Sequence, residues 1–270
     1  MVEPASLPAS AFAALADGAY ESTQLTRGPW NPEHQHGGPP AALVAHEIAR
    51  AAEPLGFTHF ARLTANLLRP IPMTELKVAV DAVYVGRNAG HFEARLCAGG
   101  RELARFTALA QREIELSLPA QIPGHPSPGA PRTPEDSLPA RFPFGDQWVG
   151  YPDLVEIRVA EGAYFAGPCA AWFRLRRPLI AGREPTPMER VAVAADSANG
   201  LSAALDFQHY LFLNNDLTVN LWRRPVGEWI CIDARTHVGS AGNGLAQAQI
   251  FDTTGLVGRS TQSLLLRARG

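Results

Sequence analysis

Four short polar stretches interrupt a chain otherwise rich in apolar runs: His34-Gln35-His36-Gly37-Gly38, Asp196-Ser197-Ala198-Asn199-Gly200, Asn214-Asn215-Asp216 and Ser260-Thr261-Gln262. Their residue types suit one kind of chemistry, the addition of a positioned water to a polarised carbonyl. A carboxylate such as Asp196 can accept the water's proton, and amides such as Asn215 and Gln262 can hold that water or stabilise developing charge without titrating. Backbone N–H groups at a helix start, around Gly37 and Gly38 or Asn199 and Gly200, offer a place for an oxyanion. Each residue also has a plainer explanation. Asp196, ahead of an expected helix, suits an N-cap. Gln262 fits an outward strand position, and Asn214-Asn215-Asp216 alone reads as a turn. His34 and His36 have no carboxylate or Cys at ligand spacing, so the simpler reading is a solvated loop pair.

The elements that must position these residues show themselves as a repeat. Leu63-Thr64-Ala65-Asn66-Leu67-Leu68-Arg69-Pro70 recurs as Leu217-Thr218-Val219-Asn220-Leu221-Trp222-Arg223-Arg224-Pro225, with one extra residue in the later copy. An apolar run stopped by proline reads as a buried strand. Further strands follow each copy: Leu76 to Tyr84, His91 to Leu96 and Glu102 to Arg112 in the first, Glu228 to Thr236, Gly244 to Phe251 and Val257 to Arg267 in the second. One helix is expected ahead of each set. Val44, Ile48, Ala51 and Leu55 have helical spacing, and Gly38 to Leu43 shares a Gly-x-x-Ala-Ala-Leu pattern with Gly200 to Leu205, which puts the second helix at Leu201 to Leu205. Between the halves, Pro119 to Pro143 is proline-rich and reads as a tether across the surface. The expected organisation is therefore an N-terminal half over 1–118, a linker over 119–145 and a C-terminal half over 146–270. The fold class is α+β, with two helix-wrapped antiparallel sheets joined edge to edge into one, since neither sheet covers its own open edge.

The whole-chain properties narrow the partners. The 270 residues are 46% hydrophobic and 19% charged, with a net charge of −2 and scattered Lys and Arg. No nucleic-acid or membrane-surface stripe is expected. Cys97, Cys169 and Cys231 are far apart and odd in number, which fits a reducing compartment rather than a disulfide framework. Nothing approaches the roughly 18 apolar residues of a membrane span, and the N-terminus lacks a basic and apolar leader, so a cytoplasmic protein is expected. Trp172, Trp222 and Trp229 are expected in the core.

A helix wrapped by a sheet and duplicated in tandem resembles the double hot-dog fold. The anchors His36-Gly37-Gly38, Ala195-Asp196, Asp216-Leu217-Thr218-Val219 and Ser260-Thr261-Gln262, in that order, resemble the type II acyl-CoA thioesterases. The resemblance implies hydrolysis of an acyl-CoA thioester by direct water attack through an Asp, a Thr or Ser, and a Gln. Asp196 matches the Asp and Gln262 the Gln. Counting back from Arg224-Pro225, the hydroxyl position falls on Asn215, a departure from the pattern; Thr218 is the substitute, although its copy Thr64 suggests a structural role. His36, Gly37, Gly38, Asn199, Gly200 and Thr218 are the expected substrate and oxyanion contacts. The resemblance implies no metal or redox cofactor, coenzyme A being part of the substrate, and a homo-oligomer. Arg223-Arg224 and Arg174-x-Arg176-Arg177 suit either coenzyme A phosphates or the surface, the surface being favoured.

Within the repeat, the counterpart of Gln262 falls near Thr107 or Ala108 and that of Asp196 near His34, so the polar set is complete only in the second half. One active site per chain is expected. The alternatives are a protein that binds an acyl-CoA without cleaving it, kept alive by the missing hydroxyl, and a hot-dog hydratase. The hydratase patterns fail in sequence, because five residues after Asp196 stands Leu201 rather than His, and His36 and Glu47 are eleven apart.

Overall fold

The computed structural model describes residues 7–119, 122, 131–142 and 148–269. The first half runs β1 (Phe12–Ala14), β2 (Tyr20–Ser22), α1 (Gly38–Ala52), β3 (His59–Leu67), β4 (Glu75–Val85), β5 (Ala89–Ala98) and β6 (Arg101–Gln111). The second runs β7 (Leu138–Ala140), α2 (Tyr151–Leu154), β8 (Val155–Gly162), β9 (Cys169–Leu175), α3 (Pro187–Ala195), α4 (Ala198–Leu201), β10 (Tyr210–Asn214), β11 (Asp216–Leu221), β12 (Ile230–Val238), β13 (Asn243–Asp252) and β14 (Gly255–Ala268). All pair antiparallel into one 14-stranded sheet in the order β1-β2-β4-β5-β6-β3-β11-β14-β13-β12-β9-β8-β7, with β10 also on β14.

The two copies of the repeated motif meet at the centre of that sheet. β3 and β11 pair with Thr64 opposite Thr218, Leu63 opposite Val219 and Ala65 opposite Leu217. Alternation puts Leu63, Ala65, Leu217 and Val219 inward, each at most 2% exposed, while the two threonine hydroxyls bond to one another at 3.2 Å on the other face. Thr218 is thus part of the seam and does not reach the polar residues at the helices. Both seam strands carry one extra residue just before the pairing begins, Ala61 in β3 and Asn215 between β10 and β11, where the register against β6 and β14 shifts by one.

Helices α1 and α3 lie side by side over the inner face and run antiparallel: Gly38 at the start of α1 is beside Val193 near the end of α3, and His46 meets Glu189 near its start. Alanines at 41, 42, 45, 192, 194 and 195 permit that approach. At Gly38 a Cβ would come within 2.7 Å of the Val193 carbonyl oxygen, so only glycine fits. The second helix departs from expectation. It spans Pro187–Ala195 and not Leu201–Leu205, with Asp196 at its C-terminal end rather than as an N-cap. Its start carries a recognisable signal, Thr186-x-x-Glu189 with proline at the first helical position, and Thr186 Oγ1 accepts from Glu189 N–H. The Gly-x-x-Ala-Ala-Leu match at Gly200 is coincidental.

The small strands before each helix, β1, β2, β8 and β9, extend the sheet beyond the expected set. Within the proline-rich interval, Pro119, Pro131, Pro134 and Pro139 are among the described residues; Pro123, Pro126, Pro128 and Pro143 lie outside them. Pro139 sits in β7, an edge strand, where a missing N–H is tolerated. Trp172 and Trp229 are buried in a satellite cluster with Cys231 and Phe251, but Trp222 is 47% exposed, because it alternates with the inward Leu221. Arg174 bonds Glu156 at 2.6 Å and stacks on Trp229.

Arg223 is committed to Asp252, the residue that closes the β13–β14 turn. Its guanidinium donates to both carboxylate oxygens at 2.5 and 2.7 Å, and Val226 N–H, Thr254 N–H and the Thr254 hydroxyl donate as well. Burial opposes ionisation of Asp252, but these donors outweigh it and hold its pKa at about 2. A carboxyl whose pKa is depressed on folding stabilises the native state above its unfolded value, about 3.9, and that contribution is lost as pH falls toward 2. Asp252→Ala is expected to lose about 3 kcal/mol at neutral pH by denaturant unfolding. The deficit should shrink as pH is lowered through that window.

Candidate active site

The polar residues singled out in the sequence converge where the start of α1 meets the break between α3 and α4. Gln262, on β14 and fully buried, reaches inward from the sheet. Its Nε2 donates to the Asp196 carbonyl at 3.2 Å, and its Oε1 accepts from Asn199 N–H at 3.1 Å. Both ends of the amide therefore satisfy backbone groups freed where the helix stops, and the outward strand position does not apply. Asn199 N–H is consumed by this contact and Gly200 N–H by the Asn199 side chain at 2.7 Å, so the expected oxyanion site at Asn199 and Gly200 is absent. Asn199 Nδ2 continues the network to the Phe212 carbonyl at 3.3 Å.

With its backbone held this way, the Asp196 carboxylate points across to the first half, 6% exposed. Oδ1 accepts from Asn214 Nδ2 at 2.7 Å, and Oδ2 lies 2.9 Å from His36 Nδ1. A Cβ on Gly37 would stand 2.9 Å from both oxygens, so this glycine lets the chain pass the carboxylate. Gly38 N–H lies 3.1 Å from His36 Nδ1 and also acts on Asp196. One nitrogen cannot both donate to the carboxylate and accept from Gly38. Which of the two contacts Nδ1 makes is therefore set by the tautomer of His36. Burial pushes the Asp196 pKa up, but the His36 charge and hydrogen bond, Asn214 and Gly38 together outweigh it, and the net shift is downward. Asp196 is therefore ionised at neutral pH.

His36 is fixed from its other side. Its ring stacks on Tyr151 of α2, with centroids 3.8 Å apart and planes 4° from parallel. The Tyr151 hydroxyl donates to the Val193 carbonyl at 2.9 Å and lies 3.0 Å from Ser197 Oγ; burial drives its pKa upward, so it remains neutral. Pro39 and Pro40 occupy the first turn of α1 and carry no N–H. Ala41 N–H bonds to the Gly37 carbonyl. Of the donors a helix start usually offers, Gly37 and Gly38 N–H remain, and Gly37 N–H has no acceptor among the described residues.

Asn215 itself is exposed at the bend, and Asn214 takes the place expected for it. The reason is the extra residue in the second copy: a count back from Arg224-Pro225 crosses it and lands one position late. His34 is not the counterpart of Asp196, being in the loop ahead of α1. Register makes Ala108 the counterpart of Gln262, since Thr107 faces Thr64 as Thr261 faces Thr218. Phe60 is that of Asn214, each preceding its bulge. At the opposite end of the helix pair a second histidine–carboxylate contact occurs, His46 Nδ1 to Glu189 Oε1 at 3.1 Å, with His46 Nε2 buried and unpartnered. Tyr151 and Asn214 were missed in the sequence as site residues; only the Asn-Asn-Asp stretch hinted at the latter.

This arrangement, two helices back to back on one continuous sheet with a polar site between them, defines a double hot-dog protein. Residues 26–111 match the model of the acyl-CoA thioesterase N-terminal domain, and residues 134–266 that of the C-terminal domain. The chain belongs to the acyl-CoA thioesterase family. Among solved structures it is similar to a proposed thioesterase from Novosphingobium aromaticivorans, with 21% identity, TM-score 0.73 and coverage of 95% of this chain and 98% of that one. A proposed thioesterase II from Thermobifida fusca has 15% identity, TM-score 0.74 and 96% coverage of each chain. Acyl-CoA thioesterase II TesB2 from Mycobacterium marinum has 18% identity and TM-score 0.64, covering 96% of this chain and 95% of that one. Comparison with curated proteins gave no match.

Replacing Gln262 by Ala removes the partners of two buried backbone groups and is expected to lower stability by about 3 kcal/mol in urea unfolding.

Proposed function

We propose that the protein hydrolyses an acyl-CoA thioester to the free acid and coenzyme A, by attack of a water at the start of α1. The observation that carries this reading is the ionised Asp196 carboxylate, held between the two halves and directly beside the Gly37-Gly38 backbone. A thioester carbonyl needs no further activation; it needs a water next to a proton acceptor and donors for the oxygen that becomes negative. Asp196 supplies the charge on which water activation depends, and the open Gly37 N–H supplies a donor. Asn214 holds Asp196 where family members place a hydroxyl. Gln262 acts by fixing the backbone of Asp196 and Asn199 rather than by holding the water.

A hydratase acting on an enoyl thioester is the second reading, favoured by one observation. The sequence argument against it rested on spacing within one half, and the His36–Asp196 contact assembles a histidine–carboxylate pair from both halves. Both readings are separated by one panel of acyl-CoAs, short to long, including aromatic acyls and a 2-enoyl-CoA, followed by free-thiol release and by loss of enoyl absorbance. Thiol release by the wild type, reduced at least about 100-fold in Asp196→Ala, is the expected outcome. Enoyl loss without thiol release supports the hydratase. Binding of acyl-CoA with neither signal makes the protein a carrier or sensor.

A further inference from the structure

The symmetry that relates the two halves sets a second place like the active site, between the start of α3 and the end of α1. A cavity of about 150 Å³ lies there, walled by Ala49, Phe57, Phe60, Met188 and Leu221. Phe60 stands where Asn214 stands at the site, so an apolar ring replaces an amide. An apolar cavity of that size accepts a group of about six carbon atoms. Its rim carries Glu53 and Arg224, whose opposite charges cancel toward a free acid. Glu189, the buried carboxylate beside Met188, is not on the wall and is engaged by His46 and Thr186. Among the described residues, the wall therefore has no buried carboxylate to act on a water.

A second depression, of about 140 Å³, adjoins this cavity and is lined by Arg174, Arg176, Arg177 and Arg190. Residues 184–190 and 224–228 border both. Arg174 is committed to Glu156 at 2.6 Å and lies 3.7 Å from Glu228. Arg176, Arg177 and Arg190 form no ion pair among the described residues, and the exposed Glu184 is the other acid beside them. Guanidinium groups pair well with phosphates. An apolar cavity beside an arginine-lined depression matches a ligand that is apolar at one end and polyanionic at the other. We propose that this end of the molecule is a second acyl-CoA site, which binds its ligand and does not hydrolyse it. A short acyl group occupies the cavity, and the nucleotide phosphates lie against Arg176, Arg177 and Arg190. The assignment concerns binding alone and holds whichever chemistry the Asp196 site performs.

The chain has three methionines, Met1, Met73 and Met188, of which Met188 lines the cavity, so an isotope-labelled Met188 methyl reports its occupancy by NMR. The full labelled chain is titrated with S-hexyl-coenzyme A, a thioether with no carbonyl to attack, and separately with hexanoate and with coenzyme A. The thioether is expected to shift the Met188 methyl saturably and to bind at least about tenfold more tightly than either fragment, since only it fills both depressions. Replacing Arg176 and Arg177 together by Ala weakens that binding at least about tenfold. The proposal is overturned if the Met188 methyl does not move at about 1 mM thioether. It is overturned equally if hexanoate binds as tightly as the thioether, or if the arginine variant keeps the wild-type affinity, which would mean a shift transmitted from the Asp196 site. A wild type that hydrolyses no acyl-CoA is a separate result, the failure of the thioesterase reading, and leaves this titration unaffected.

Discussion

A carboxylate taken almost out of water must be matched by charge and hydrogen bonds on nearly every side, or it will not stay ionised. Asp196 is matched by His36, Asn214 and Gly38 N–H, and each partner constrains the structure around it. Glycines are required at 37 and 38, one to pass the carboxylate and one to pass the Val193 carbonyl. Helix α3 must stop where it does, with Gln262 satisfying the backbone of the break. The bulge at Asn215 brings the preceding residue, Asn214, to the carboxylate. The seam between the sheets and the close packing of α1 on α3 hold both sides of this one contact.

The internal symmetry shows what happens where that constraint is absent. At the other end of the helix pair, Phe60 and Ala108 stand where Asn214 and Gln262 stand at the site, and a cavity of about 150 Å³ opens among Phe57, Phe60, Met188 and Leu221. The His46–Glu189 contact there is closed in, with no outlet for the second ring nitrogen. The same backbone thus supports one end where amides brace a buried carboxylate and one where Phe60 and Ala108 take their places, and the difference lies in a few side chains on strands that pair alike.

Much of this was legible from residues alone. The repeated Leu-Thr motif located the seam strands, and alternating runs located β4 to β6 and β12 to β14. β9 was missed for a physical reason: Cys169 to Phe173 are buried on both faces, Trp172 in the satellite cluster and Phe173 in the main core, so no alternation appears. The helix start at Thr186-x-x-Glu189 was visible but was overshadowed by the resemblance between Gly38 and Gly200. Asp196 and Gln262 were found with their roles only partly assigned, since which face of the network each amide serves depends on where α3 ends. The Asn214 position was displaced by a single inserted residue. The meeting of His36 with Asp196 could not be read from spacing at all, because it is set by how two distant helices dock.

The pair His36 and Asp196 has one member in each half, which gives covalent continuity between the halves a meaning beyond topology. A site shared by two separate subunits exists only in the fraction of molecules that have found a partner, and it dissolves on dilution. Here the second half is always present, because it belongs to the same chain. The assembled pair is therefore a property of each single molecule, governed by its folding equilibrium and not by mass action. Its two contributors were also free to evolve as unlike partners, which identical subunits sharing one gene cannot do.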